Sequence, residues 1–326
     1  MGITALGAYL PEKILNNHHL SEMVDTSDEW IQERTGIRER HIAAPDQACS
    51  DLAYLAFQDM KQNFQVKGED VDLVLVATVT PDMIFPTTAN ILQHRIGATR
   101  AGSMDILAAC SGFIYALSVG HQFVANGTCK NVLVFGSEVM SRIVNWEDRR
   151  TCVLFGDGAG VVLLQPVEEG YGILDTLLRS DGSEIEHLWM PAGGSRLPPS
   201  EFTIRNHLHS IHMNGREVFT WAIRRQGEII EEILEKNHLH PEDIHLFAVH
   251  QANYRIIEGL WKRFHLPPEK FYINIHKYGN TTAASIPLVL YDACKEGLLH
   301  KGDLVLLAAF GAGFTWGASL IRWSLP

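Results

Sequence analysis

Cys110, His250 and Asn280 stand where apolar runs give way to small residues, and together they offer a nucleophile, an imidazole and a neutral amide donor. The segment Asp105-Ile106-Leu107-Ala108-Ala109-Cys110-Ser111-Gly112-Phe113 passes from a strand-like run into a helix-like stretch. Its small residues leave room for a tight turn and for a substrate to approach. A cysteine at a helix start meets free backbone N–H groups and the positive end of the dipole. Both favour thiolate, the attacking form. The plainer reading is a buried thiol in a packed turn.

His250 follows the apolar run Phe247-Ala248-Val249 and precedes Gln251-Ala252-Asn253. An imidazole there can act as a base or donate a hydrogen bond to a carbonyl oxygen. Asn280 lies in Tyr278-Gly279-Asn280-Thr281-Thr282-Ala283-Ala284-Ser285, again a small-residue turn before a helix-like stretch. Taken alone it reads equally well as a helix cap. Two glycine-rich stretches, Gly156–Gly160 and Gly311–Gly317, lead into strand-like runs and not helices. They therefore lack the dinucleotide fingerprint, although their bare N–H groups suit an oxyanion site. His207, His209 and His212 have no acidic or cysteine partner nearby in sequence, so no metal site is expected.

These residues need elements to hold them. Leu73–Thr80, Val132–Gly136, Gly160–Leu164, Leu246–His250 and Leu304–Phe310 are nearly continuous apolar runs, as in strands buried on both faces. Helical stretches are expected at Ser50–Phe64, Gly112–Ala125 and Arg216–Lys236. The alternation implies βαβ units around a mostly parallel sheet. Glu69-Asp70-Val71-Asp72-Leu73 is echoed by Glu242-Asp243-Ile244-His245-Leu246, and Asn131–Val134 by Asp303–Leu306. Gly2–Leu6 has a looser echo in Gly172–Thr176. A common spacing near 170 suggests duplicated α/β halves, 1–168 and 169–326. Function in open α/β sheets gathers at strand C-terminal ends, where His250 falls.

Composition narrows the class. The 326 residues are 46% hydrophobic and 20% charged, an ordinary globular mixture. A formal net charge of −11 argues against a general nucleic-acid surface. The five cysteines are scattered and form no CxxC pair, which fits a reducing cytoplasm better than a disulfide framework. No apolar run reaches membrane-span length, and no signal peptide is apparent.

In order along the chain, the segments Thr26–Arg40 (TSDEWIQERTGIRER), Cys110 with its flanks, Phe155–Gly160, His250–Asn253, Tyr278–Thr281 and Gly311–Gly317 resemble the ketoacyl synthase III family of thiolase-like condensing enzymes. The resemblance spans essentially the whole chain. It implies a five-layered αβαβα thiolase-like fold from two duplicated halves, and a homodimer. It also implies that Cys110 takes an acyl group from an acyl-CoA primer and passes it to decarboxylated malonyl-acyl-carrier protein. His250 and Asn280 would donate to the malonyl thioester oxygen, each stabilising the developing charge by about 3 kcal/mol. The backbone N–H groups of Cys110 and Gly313 would form the oxyanion hole. No metal or redox cofactor is called for.

By motif position, Trp30 and Arg34 would hold the CoA adenine with help from Arg149, and Asn253 would touch the pantetheine arm. Phe85 would cross a dimer interface to close the acyl pocket, with Met140 lining it. Arg255, Lys262 and Arg263 are the expected dock for the acidic carrier protein, with Arg224 and Arg225 as weaker candidates. Thr220 departs from relatives that place a lysine there. A polyketide starter or quinolone-forming enzyme would keep the same three residues and differ in its partner. A thiolase would need a second catalytic cysteine, and Cys294 lacks the glycine-rich setting. A non-catalytic chain-length partner would have no need of Cys110.

Overall fold

The apolar runs become the inner strands of two sheets in the computed structural model, which describes residues 1–326. The first sheet holds β1 (Gly2–Tyr9), β2 (Leu73–Ala77), β3 (Gly102–Ile106), β4 (Val132–Glu138) and β5 (Gly158–Gln165), in the order β1-β5-β4-β2-β3. The second holds β6 (Gly172–Ser180), β7 (Leu246–Val249), β8 (Leu304–Gly311) and β9 (Thr315–Arg322), in the order β6-β9-β8-β7. The two orders match strand for strand, except that β3 has only a vestige in the second sheet, a single parallel bridge from Phe271 to Phe247. Registers agree too. Leu73 pairs with Val132 and Leu246 with Val305, each residue of the second pair lying 173 positions beyond its counterpart.

The sheets are mixed, which corrects the expectation of mostly parallel pairing. β2 runs parallel to β3 and β4, and β7 to β8. The remaining neighbours are antiparallel. The short turn between β8 and β9 leaves no room for a crossover, and a hairpin forces the antiparallel sense.

Helix α1 (Cys49–Asn63) covers the outer face of the first sheet. Helices α3 (Gly215–Lys236) and α4 (Tyr254–Arg263) cover the outer face of the second. Between the sheets lie α2 (Gly112–Ala125) and α5 (Ser285–Lys295), touching both. The result is five layers. Strand side chains alternate as the pleat requires. Leu73, Leu75, Ala77, Leu246 and Ala248 face the central layer, Val74 and Val76 face outward with α1, and Phe247 and Val249 face outward with α3 and α4. Leu75 is fully buried, so its truncation to Ala should cost about 2–5 kcal/mol. No helix is long and apolar enough to cross a membrane.

Candidate active site

Cys110 occupies a single 3-10 turn, Ala109–Ser111, that feeds α2. Ala109 holds a left-handed φ of 46°, which costs a residue with a Cβ about 1–2 kcal/mol. Local bonds keep it there. The Ser111 hydroxyl lies 2.7 Å from both the Ala108 carbonyl and the Thr315 hydroxyl, tying the β8–β9 turn to the cysteine. Residue 311 must be glycine for this approach, since a Cβ there would sit 2.7 Å from the Cys110 nitrogen.

The thiol is not the low-pKa thiolate expected of a helix start. Burial, and then the neighbouring Glu138 carboxylate, push it up to about 12, against weaker pulls from Thr282 and the turn's own N–H. The residue is buried, away from the solvent that would stabilise a thiolate. Cys110 therefore rests as a neutral thiol and gives up its proton as it attacks.

His250 emerges directly from β7, with its N–H on the Ala308 carbonyl at 2.8 Å. Its Nδ1 lies 2.6 Å from the Ser285 hydroxyl, at the start of α5. That hydroxyl also accepts the Gln251 N–H, at 3.4 Å. Ser285 can thus donate its hydroxyl proton to Nδ1, the arrangement in which the ring proton sits on Nε2. Nε2 is buried and has no partner within the protein. Burial pushes the imidazole down to about 3, so it is neutral at ordinary pH.

Asn280 is held by backbone and not as a helix cap. Its N–H donates to the Leu154 carbonyl at 2.8 Å and its carbonyl accepts from Gly156 at 3.1 Å. Its Oδ1 accepts the Thr282 N–H at 2.9 Å, which leaves Nδ2 as the spare donor. Cys110, His250 and Asn280 all line one cavity of about 600 Å³. Since all three are buried, they form its floor.

The exposed side chains of the same cavity define its mouth. They include Arg34, Arg150, Arg216 and Arg255, with Trp30 and Arg149 beside them. In an acidic protein this is a concentrated positive rim. Arg34, Arg216 and Arg255 make no ion pair. Trp30, Arg34 and Arg149 stand together there, as expected of a shared binding surface: Arg149 lies over the Trp30 indole at 5.5 Å, anchored by Asp25. Asn253 lines the cavity, and its amide is held by one local bond on each side, with a second Nδ2 hydrogen left over. Oδ1 caps α4 at the Arg255 N–H, and Nδ2 donates to the Arg34 carbonyl.

Two members of the expected basic dock are neutralised. Lys262 pairs with Glu258 at 2.9 Å, and Arg263 makes a two-pronged pair with Glu231 at 2.8 and 2.9 Å. Arg224 and Arg225 share Glu228. Arg255, lying over Phe219, remains available. Met140 is buried in the apolar cluster that lends Val153 and Phe155 to the cavity wall, but it does not itself line the cavity. Gly313 sits in the β8–β9 turn at φ 139°, and Phe310 forms the cavity wall there instead. Phe85 is 82% exposed beside an equally exposed Ile84. His209 meets Thr203, His212 meets the His207 carbonyl, and the three imidazoles form no donor cluster.

Sequence reasoning missed Ser285 and Arg216. Ser285 is 35 positions from the imidazole it orients, and nothing local marks it. Arg216 had a signal, as the unpaired cation one helical turn before Thr220.

Two sheets sandwiching a shared helical layer, with cysteine, histidine and asparagine on one cavity floor, define a thiolase-like condensing enzyme. Residues 104–182 match the family description 3-oxoacyl-[acyl-carrier-protein] synthase III, and residues 234–323 match its C-terminal part. The chain is 54% identical over 323 residues to the β-ketoacyl-[acyl-carrier-protein] synthase III of Caldanaerobacter subterraneus subsp. tengcongensis, covering 99% of this chain and 98% of that one. The solved enzyme of that name from Thermus thermophilus superposes with a TM-score of 0.93 at 44% identity, over 99% of each chain. A priming β-ketosynthase of the R1128 polyketide pathway superposes at 0.91 with 30% identity, covering 99% of this chain and 96% of that one. The chain belongs to the 3-oxoacyl-[acyl-carrier-protein] synthase III family.

Proposed function

We propose that the chain starts fatty acid synthesis by joining an acyl-CoA primer to malonyl-acyl-carrier protein through an acyl-Cys110 intermediate. In the first half-reaction the Cys110 sulfur attacks the primer's thioester carbonyl. The new C–S bond forms, the bond to the CoA sulfur breaks, and the Cys110 proton ends on the departing CoA thiol. In the second, malonyl-carrier protein loses CO₂ and leaves an enolate. His250 Nε2–H and Asn280 Nδ2–H donate to its oxygen. The carbanion attacks the acyl-Cys110 carbonyl, the C–C bond forms, the C–S bond breaks, and the departing thiolate takes up a proton from solvent. Neutral donors suit this step, because a charged imidazolium would hold the malonyl carboxylate in its ground state. The chemistry needs no resident metal or redox group.

The observation that carries the reading is the shared cavity floor of Cys110, His250 and Asn280, each with one reactive atom left over. The positive rim above it suits CoA phosphates and an acidic carrier protein. Trp30 and Arg149 are the adenine contacts, Arg34 the phosphate contact, and Arg255 the principal dock. Phe85 closes the acyl pocket of a second copy, the chain acting as a cytoplasmic homodimer. The duplicated halves meet between residues 168 and 169. Intact mass after mixing with acetyl-CoA tests the first step: an acyl adduct is expected, absent in Cys110→Ala. An adduct that survives the substitution removes the reading.

A further inference from the structure

Arg40 has no place in the chemistry above, yet it is among the largest side chains wholly buried in the molecule. No carboxylate pairs with it. Nη1 donates to the Leu15 carbonyl at 3.1 Å and to Asn17 Oδ1 at 2.9 Å, and Nη2 donates to the Val153 carbonyl at 2.8 Å. Nε is buried without an acceptor. Burial lowers the group to about 10, so it remains charged at neutral pH. A buried cation held by carbonyls alone is a costly way to fill space, so what it holds matters.

On one side it holds the segment that carries Asn280. Val153 precedes Leu154, whose carbonyl accepts the Asn280 N–H, and Gly156 returns a bond to the Asn280 carbonyl. The Arg40 Cβ lies where side chains at Gly156 and Gly279 would otherwise be, at 2.9 and 3.3 Å from their ideal Cβ positions. On the other side, Asn17 passes the connection to Asp28 Oδ1 at 2.9 Å and to the Ile37 carbonyl at 2.8 Å. Asp28 opens the helix Asp28–Thr35 that presents Trp30 and Arg34.

We propose that Arg40 is a positioning residue that fixes the Val153–Gly156 segment and, through it, aims the Asn280 amide at the malonyl thioester oxygen. The proposal rests on the reading that Asn280 donates there. It assigns Arg40 to the decarboxylation step and not to loading of Cys110.

The test measures two half-reactions on full-length protein: decarboxylation of malonyl-carrier protein, and acylation of Cys110 by acetyl-CoA followed by mass. Arg40→Met should lower the decarboxylation kcat about 10- to 100-fold, the scale of a small misplacement of a catalytic group. KM for malonyl-carrier protein should change less than about twofold, and loading at saturating acetyl-CoA less than about threefold. Arg40→Lys, which keeps one donor for the Val153 carbonyl, should recover part of the loss. Adding Arg40→Met to Asn280→Ala should cost nothing further, since the first acts through the second. Equal losses in both half-reactions would overturn the proposal, as would additive losses in the double variant. So would failure of both Arg40 variants to fold, because a group the fold itself requires is no positioning residue. A normal Arg40→Met beside a crippled Asn280→Ala removes this proposal alone. A normal Asn280→Ala removes the reading of the site, and this proposal with it.

Discussion

The turn that holds Cys110 has a twin. Ala109–Ser111 leads into α2, and Thr282–Ala284 leads into α5. Both bend through a left-handed residue that is not glycine, Ala109 at 46° and Thr282 at 51°, 173 positions apart. The counterpart of Cys110 is Ala283, which is 1% exposed and packs against Gly136. The counterpart of His250 is Ala77, the last residue of β2. One backbone device occurs twice and its chemistry is split. One copy supplies the sulfur, and the other supplies the imidazole and the amide. Shared strain at equivalent places belongs to the backbone, while the side chains set there decide function.

Making the two turns alike should have the largest effect. Cys110→Ala copies Ala283, and condensation should fall about 1,000-fold or more with loss of the acyl adduct. Intact mass and product release both read it. Full activity would show that the twin turn, or neither, carries the nucleophile. Next come His250→Ala and Asn280→Ala, each expected to slow decarboxylation about 100-fold, the usual loss for one preorganised donor. Acyl loading of Cys110 should survive both. Equal damage to loading would place these groups in the first half-reaction and erase the division between the halves.

A smaller effect separates the mouth from the floor. Arg255→Glu should raise the KM for malonyl-carrier protein about tenfold while decarboxylation of bound substrate holds. Lys262→Glu should do much less, because Glu258 already offsets that charge. Equal shifts would restore the wider patch.

The pH response is the gentlest test. His250 has its folded value near 3 against 6.5 when unfolded. The unfolded chain therefore gains a proton as pH falls below 6.5 while the folded one does not. Stability supplied by the neutral ring is full above 6.5 and is lost progressively toward 3. Decarboxylation should show no inflection near 6.5. Cys110 alkylation by iodoacetamide should keep rising from pH 7 to 10 without a plateau, because its thiol titrates near 12. A plateau below 9 would show that the turn's donors outweigh burial and Glu138.

Much of this is legible in the amino-acid sequence. Strands buried on both faces announce themselves as apolar runs, so β2, β4, β5, β7 and β8 fell within a few residues of expectation. The repeat was visible because both halves open their strands with acidic 3-10 turns, Gly68–Asp70 and Pro241–Asp243. Cys110, His250 and Asn280 were readable as candidates and became a set only through the family resemblance. Strand sense was not readable, since periodicity reports burial and not direction. Nor were pairings across distance. Glu231 neutralises Arg263 from 32 positions away, and the two look like independent surface charges in one dimension. The state of Cys110 was misread because a local rule about helix starts competes with a global fact, the depth of the site.

The central helices α2 and α5 have one last consequence. Each is wrapped by strands of both sheets, with Phe113, Ile114, Leu117, Val289 and Leu290 in a single apolar cluster. Each half has a core under its own outer helices, but the inner face of each sheet is buried only against this shared layer. A truncated product ending near the middle of the chain would present a broad greasy slab to water and should aggregate instead of folding. Co-expressed fragments, by contrast, have a complementary surface to find. Each half thus completes the burial of the other.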